Sequence, residues 1–282
     1  MRKGKGRTAY FFLLPSLAGT AVFVFIPFAD VIRRSFFRAV GGVFVGFSNY
    51  REVLRNEMFR MALSNTARFL IVCLPLLMCL SFLLALLTDL AGRAGKAFGA
   101  VYLLPVAIPV ASVVVFWQLM FHSQGLVNAA LGWLHIPGKD WMDSGAAFGV
   151  LVFSYIWKNL GYDMVLWSAA LAGIPKEQYE AAKTAGASGF QCLLYITFPQ
   201  IKPGAAMIGM LSFVNAFRVF REAYLVAGSY PQEKIYLLQH VFNNWFVELS
   251  VDKMAAGSVL LCLLITIFVL LLHRSWGREE MS

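Results

Sequence analysis

Charged residues are scarce in this sequence, so the few that interrupt its apolar runs are where chemistry has to be sought. Lys158, Asn159 and Asp163 fall inside one such run, and Asn215, Arg218, Arg221 and Glu222 inside another. Ionisable groups in a membrane-length segment are costly and usually face a bundle interior or a water path. On a helix, Asn215, Arg218 and Glu222 follow one another at about one turn and share a face. Lys158 and Asp163, five apart, lie about 140° round the helix and do not pair within it. Two readings stay open: a polar lining for a hydroxylated solute, or ion pairs that lock helices or meet a partner subunit. Bond-making chemistry is missing. Gly95-Lys96 and Gly138-Lys139 both lack the first glycine and the following Ser or Thr of a phosphate-cradling loop. No GxSxG, Cys/His dyad or paired-carboxylate constellation is present. The four cysteines form no CxxC and the four histidines no HExxH, so neither a disulfide framework nor a metal site is implied. The chain reads as something other than an enzyme, with no metal and no cofactor of its own.

One long polar-to-amphipathic segment, 175–203, offers a different kind of chemistry, that of a docking surface. Pro175 suits the first turn of a helix and Glu177 complements the positive end of its dipole. Good helix formers run to Ala185, Gly186 supplies a left-handed stop, and Ser188 can cap a second helix. That helix carries Phe190, Leu193, Leu194 and Ile196, and Pro199 and Pro203 are expected to close it. Glu180 lies one turn from both Lys176 and Lys183 and could be tied up in a surface pair with either.

The elements that position these residues are membrane spans. The chain has 282 residues, 59% hydrophobic, 14% charged, with mean hydropathy +0.68. Soluble domains carry nearer 25% charged residues, so a membrane protein is indicated. The net charge of +9 is scattered, with no soluble domain to carry a nucleic-acid patch. Six spans are expected: about 9–28, 69–87, 97–121 with a kink at Pro105 and Pro109, 147–172, 204–227 and 254–272. In the connection 33–60, Phe47, Tyr50 and Leu54 can form an apolar stripe lying on the membrane interface with arginines snorkelling. Trp133 and Trp141 suit interface anchors in 122–146. With the N-terminus inside, cytoplasmic pieces hold eleven Lys/Arg and external pieces nine, a weak positive-inside bias. The four basic residues among the first seven favour that orientation. The expected layout is a cytoplasmic tail 1–8, one transmembrane domain 9–273 and a cytoplasmic tail 274–282.

Glu180-Ala181-Ala182, then Gly186-Ala187, Ile196, Pro199 and Pro203, resemble the EAA loop of permease subunits in binding-protein-dependent ABC importers. FVG-x-x-NY at 44–50, Asn65-Thr66 and GLVNAALGWL at 125–134 resemble the carbohydrate-uptake subfamily, of maltose and glycerol-phosphate importer type. Two positions depart from the pattern: Ala185 stands where an Asp usually precedes the glycine, and Phe198 where a Leu precedes the proline. The resemblance implies an all-α membrane protein, with the six helices of the type I importer permease fold and a coupling helix, 173–203, between spans four and five. It implies ATPase coupling through Glu177, Glu180, Ala181, Ala182, Gly186, Ala187 and Pro199. The candidates for the solute path are Lys158, Asp163, Asn215, Arg218 and Glu222. It further implies a second permease, two cytoplasmic subunits that alone bind ATP-Mg, an extracytoplasmic solute-binding protein, a sugar substrate, and a bacterial plasma (inner) membrane location with both termini cytoplasmic. An ion-coupled secondary transporter is the alternative, although the paired repeats and broken helices of such folds are not evident.

Overall fold

Proline placement decides where the helices break. The computed structural model describes residues 13–219, 223–224 and 229–276, with the backbone alone at 93–94, 96–98, 218 and 271–276. Helix α1 is Leu13–Arg34, α2 is Ser48–Arg55, and α3 is Glu57–Leu90. Helix α4 (Gly92–Ala107) and α5 (Val110–Phe121) divide the predicted third span. The predicted kink is a break: Ile108 is extended with ψ 128° because the ring of Pro109 disfavours helix in the residue before it. Pro105, like Pro75 in α3, stays inside a continuous helix. Next come α6 (Leu126–Trp133), α7 (Ala147–Ala172) and α8 (Lys176–Thr184). Helix α9 covers 189–216 and is followed by a 3₁₀ turn, Phe217–Val219. Helices α10 (Leu238–Val247) and α11 (Val251–Trp276) complete the order. Among the described residues there is no strand, only an isolated bridge between Phe37 and Phe44.

Among the described residues, four helical stretches are long and apolar enough to cross a membrane: Leu13–Arg34, Glu57–Leu90, Val110–Trp133 and Val251–Leu270. The third is interrupted, since His122 is extended and ends α5. The fifth predicted span is the one that departs most. Its described α-helix stops at Ala216 instead of running to 227, and residues 220–222 and 225–228 lie outside the described set.

The described residues group into two compact units. One combines the chain through Arg60 with Val241–Leu272. Its hairpin 36–45 is anchored at several points: Asn49 Nδ2 donates to the carbonyls of Ser35 and Phe37, both at 3.0 Å. Arg38 pairs with Glu52 at 3.1 Å, Lys253 with Glu52 at 2.9 Å, and the Ala39 N–H donates to Asp252 at 3.3 Å. The hydrogen bond from Lys253 holds the Glu52 carboxyl below its ordinary range. Tyr50, expected in an exposed stripe, is turned in, its hydroxyl 2.6 Å from Ser35 Oγ, while Phe47 and Leu54 stay exposed. Gly257 lets α11 pass under α10: a Cβ there would stand 2.8 Å from the Phe242 ring.

The other unit contains Met61–His240. Its core packs Phe69, Cys73 and Leu77 of α3 against Leu151, Val152 and Tyr155 of α7. Trp167 Nε1 donates to Ser81 Oγ at 3.0 Å, tying the far ends of the same two helices. At Gly161, α7 meets the backbone of α4 directly; a Cβ would fall 1.8 Å from the Tyr102 carbonyl oxygen. Asn65 and Thr66 staple the segment after α9. Asn65 Nδ2 donates to the Glu233 and Tyr236 carbonyls at 2.6 and 3.0 Å, and the Leu238 N–H donates to Thr66 Oγ1. Trp141 is no free anchor: its Nε1 donates to the buried Asn128, which also receives the Lys139 N–H.

Candidate functional site

Helix α8 begins with Pro175 at its N-cap and carries Glu177 in its first turn, as its composition requires. It ends in a Schellman arrangement: the Gly186 N–H donates to the Lys183 carbonyl at 2.9 Å and the Ala187 N–H to Ala182 at 2.9 Å. That closure needs the left-handed residue, and Gly186 has φ +85°. Ser188 then starts α9 with a full capping box. Its hydroxyl accepts from the Gln191 N–H at 3.3 Å, and Gln191 Oε1 accepts from the Ser188 N–H at 2.7 Å.

The prolines do not close the second helix. It continues through a π-helical turn, Leu193–Thr197, into Phe198–Ala216, with Pro199 at the start of that segment and Pro203 inside it. The wider turn gives the Pro199 ring room against the preceding carbonyls, and Thr197 Oγ1 reaches the Cys192 carbonyl at 3.4 Å. The two arms are joined by Tyr179 and Thr197, whose hydroxyls lie 2.8 Å apart, and by a hydrogen bond from Gln200 to Gln178.

The hairpin presents an exposed face. Glu177, Glu180, Ala181, Gly186 and Pro199 are exposed, while Ala182 and Ala187 are half-buried. Among the described residues, Glu180 makes no ion pair with Lys176, Lys183 or any other group, so its carboxylate is available to a partner. Between the arms lies an open cleft of about 310 Å³, lined by Ala182, Ala185, Gly186, Gln191, Cys192 and Tyr195. Ala185 leaves this cleft wall without the carboxylate that the family pattern would put there.

The candidates in the spans separate on burial. Asp163 is 1% exposed and accepts a 2.6 Å hydrogen bond from Ser212 Oγ, itself 1% exposed. It joins α7 to α9 rather than lining a free surface. Lys158 and Asn215 are half-buried. The side chain of Arg218, together with Arg221 and Glu222, lies outside the described residues. The helical face predicted to join Asn215 to Arg218 is interrupted, because α-helix gives way to 3₁₀ at Phe217. Sequence reasoning missed Ser212, an unremarkable serine in an apolar run, and Gly161. A second, apolar groove of about 710 Å³ between α5 and α7 is lined mainly by Phe116, Trp117, Phe121, Trp141, Phe153 and Trp157. Among the described candidates, neither Lys158, Asp163 nor Asn215 lines it.

Residues 78–278 match a family described as the binding-protein-dependent transport system inner membrane component. The chain belongs to this family. The match takes in the hairpin and both segments that carry polar groups. Among curated relatives, the trehalose/maltose transport system permease protein MalF of Thermococcus litoralis is 32% identical over 235 residues, 80% of this chain and 79% of that protein. The sn-glycerol-3-phosphate transport system permease protein UgpA of Pectobacterium atrosepticum is 28% identical over 265 residues, 91% and 89% of the two chains. The fold is shared with a bacterial ABC transporter involved in the import of the acidic polysaccharide alginate. The TM-score is 0.84 at 21% identity, over 97% of this chain and 96% of that one. As a binding-protein-dependent permease component, the protein is a membrane transport subunit, and the ion-coupled alternative falls away.

Proposed function

We propose that this permease moves a carbohydrate, an oligosaccharide or related sugar, into the bacterial cell across the inner membrane. It does so as one of two permease subunits over two ATP-binding subunits, with an extracytoplasmic protein delivering the solute. Relatives named for trehalose/maltose, arabinooligosaccharides and sn-glycerol-3-phosphate support the substrate class. A structural neighbour solved with a periplasmic protein that holds an alginate pentasaccharide supports the delivery step. Six helical passes are proposed, with α4 and α5 together making the third and both termini cytoplasmic. ATP-Mg belongs to the partner ATPase alone.

The observation that carries the reading is the rigid, exposed hairpin 175–199 with an uncommitted Glu180. Closure of the ATPase pair would push on α8, and the bonds from Tyr179 and Gln178 would pass the movement into α9, which continues into the span. Lys158 and Asn215, with Arg218 and Glu222, are assigned to the solute path; Asp163 is assigned to locking α7 against α9. For Glu180→Ala we expect normal membrane insertion and partner-permease contact but reduced ATPase retention and no binding-protein-stimulated hydrolysis. Loss of a carboxylate paired in a partly desolvated cleft costs about 2–5 kcal/mol, against ~0.3–0.5 for a surface pair. Normal ATPase co-purification and stimulation in this variant would reduce the hairpin to a plain amphipathic turn.

A further inference from the structure

A buried carboxylate inside a membrane span is costly, and where one persists it usually serves function. Asp163 on α7 is such a group, and Ser212 on α9 donates to it at 2.6 Å. The two residues lie deep in the helices that flank the hairpin. Asp163 precedes Pro175 by twelve residues, about 18 Å of helix, and Ser212 follows Pro199 by thirteen, about 20 Å. Their bond therefore stands away from the hairpin by more than half of a ~30 Å hydrocarbon layer. It also sits at the level of two solute-path candidates. Asn215 is one turn beyond Ser212, and Lys158 is five residues before Asp163. The α-helical part of α9 ends at Ala216, one turn past Ser212, so the bond pins the end of its regular helix.

Between hairpin and bond, α9 is joined to the α7–α8 arm all along its length. At the hairpin, the hydroxyls of Tyr179 and Thr197 lie 2.8 Å apart. In the middle, Gly204 brings α9 close to α7, since a Cβ there would stand 3.0 Å from the Ala170 Cβ. Around that contact Met164 and Trp167 pack with Ile201 and Ile208. Such an apolar layer does not by itself fix register inside a membrane. Lipid tails receive an apolar helix face as well as another helix does, so directional hydrogen bonds are what resist sliding. Tyr179–Thr197 supplies one at the near end of the pair and Asp163–Ser212 one at the far end.

We propose that Asp163 and Ser212 are positioning residues for transport, their bond pinning the far end of a lever made of α7, α8 and α9. Displacement of the hairpin then arrives at Lys158 and Asn215 instead of being lost as sliding of α9 along α7. This deepens the importer reading and rests on it. The test uses the complex with its partner permease and ATPases, after Cys73, Cys79, Cys192 and Cys262 have been replaced. Spin labels are placed through Val165→Cys on α7 and Val214→Cys on α9, both exposed positions beside the bonded pair. The distance between them is read without nucleotide and after trapping with ATP and vanadate. It should be the same in both states for the parent complex and for Asp163→Asn, which keeps an acceptor for the Ser212 hydroxyl. In Ser212→Ala it should shift on trapping by at least about 1–2 Å, the size of ordinary helix displacements. The pair Asp163→Leu with Ser212→Ala, which replaces the bond by apolar packing and so protects folding, should shift in the same way. A parent distance that changes on trapping means that the bond breaks in the cycle, and overturns the lever. So does an unchanged distance in the double variant, because packing alone would then hold the helices. Broadening that is equal with and without nucleotide reports only a looser fold and also overturns it. Failure of the parent permease to retain any ATPase overturns the importer reading itself, a separate result.

Discussion

At the scale of single residues, Gly186 is legible in the sequence, because a helix that must stop and restart within three residues needs a left-handed position. Its φ of +85° and the open space where a Cβ would sit set the expected pattern of substitution. Backbone strain, not crowding, is the cost, so Gly186→Asn should be tolerated better than Gly186→Val. The valine costs about 1 kcal/mol or more and re-aims α9. ATPase retention in a detergent pull-down should fall in the order Gly, Asn, Val; equal retention in all three would mean that the turn does not set the docking angle. His240 shows the opposite case, since nothing in its sequence neighbours marks it. It is fully buried, stacks on Tyr236 at 5.4 Å, and its Nδ1 accepts the Leu237 N–H at 3.0 Å, which leaves the proton of the neutral ring on Nε2. Burial pushes its pKa down to about 4, from an ordinary 6.5. A base with a depressed folded-state pKa stabilises the fold fully above pH ~6.5 and progressively less as pH falls towards 4, by up to about 1.4 kcal/mol per unit. The thermal midpoint of the purified complex should therefore drop between pH 7 and pH 5. His240→Asn, which keeps an acceptor for the Leu237 N–H without titrating, should drop less over the same interval.

At the scale of elements, hydrophobic run length located α7 to the residue, and a proline rule explains why α4 and α5 separate at Ile108. The same reasoning failed at Pro199 and Pro203. Periodicity says nothing of a π turn, and here the turn makes room for the Pro199 ring, while Pro203 sits inside the continuing helix as Pro75 and Pro105 do in theirs. Helix-to-helix register was also invisible, because it depends on which glycine meets which backbone. Gly161 and Gly149 lie on the same helix and look alike in sequence. A Cβ at Gly161 would strike the Tyr102 carbonyl at 1.8 Å, whereas a Cβ at Gly149 meets nothing within 4 Å. Gly161→Ala must therefore push α4 away from α7, and we expect a loss of about 1–3 kcal/mol. Gly149→Ala should be neutral or slightly stabilising through its better helix propensity. Thermal unfolding of the two variants in the same detergent decides the matter, and similar midpoints would show that α4 and α7 do not pack through this contact.

For the whole molecule, composition and the spacing of the EAA residues made class and family readable, because both are carried by local sequence. Orientation is less firmly written. Eleven basic residues on one side against nine on the other is a narrow margin, and the six arginines at 33–60 are what narrows it. Three of those arginines pair with Asp30, Glu52 and Asp252, but the bias counts Lys and Arg and not net charge, so the margin stays narrow. The cytoplasmic placement of the N-terminal side and of the hairpin 175–199 therefore stands as a proposal. Labelling tests it directly, once Cys73, Cys79, Cys192 and Cys262 have been replaced so that new cysteines report alone. An impermeant thiol reagent added to intact cells stripped of their outer barrier should reach exposed positions in 125–145 and 229–251, and should miss 177–188 until the membrane is opened. Exposed sites are available in both sets, Trp133 at 88% and Tyr230 at 67% in the segments expected outside and Glu180 and Lys183 in the hairpin, so a silent position would reflect sidedness and not burial. Labelling of 177–188 from outside would place the hairpin away from any cytoplasmic ATPase. The exposed Glu180 would then need another partner, and the coupling assignment would fail while the six helical passes could still stand.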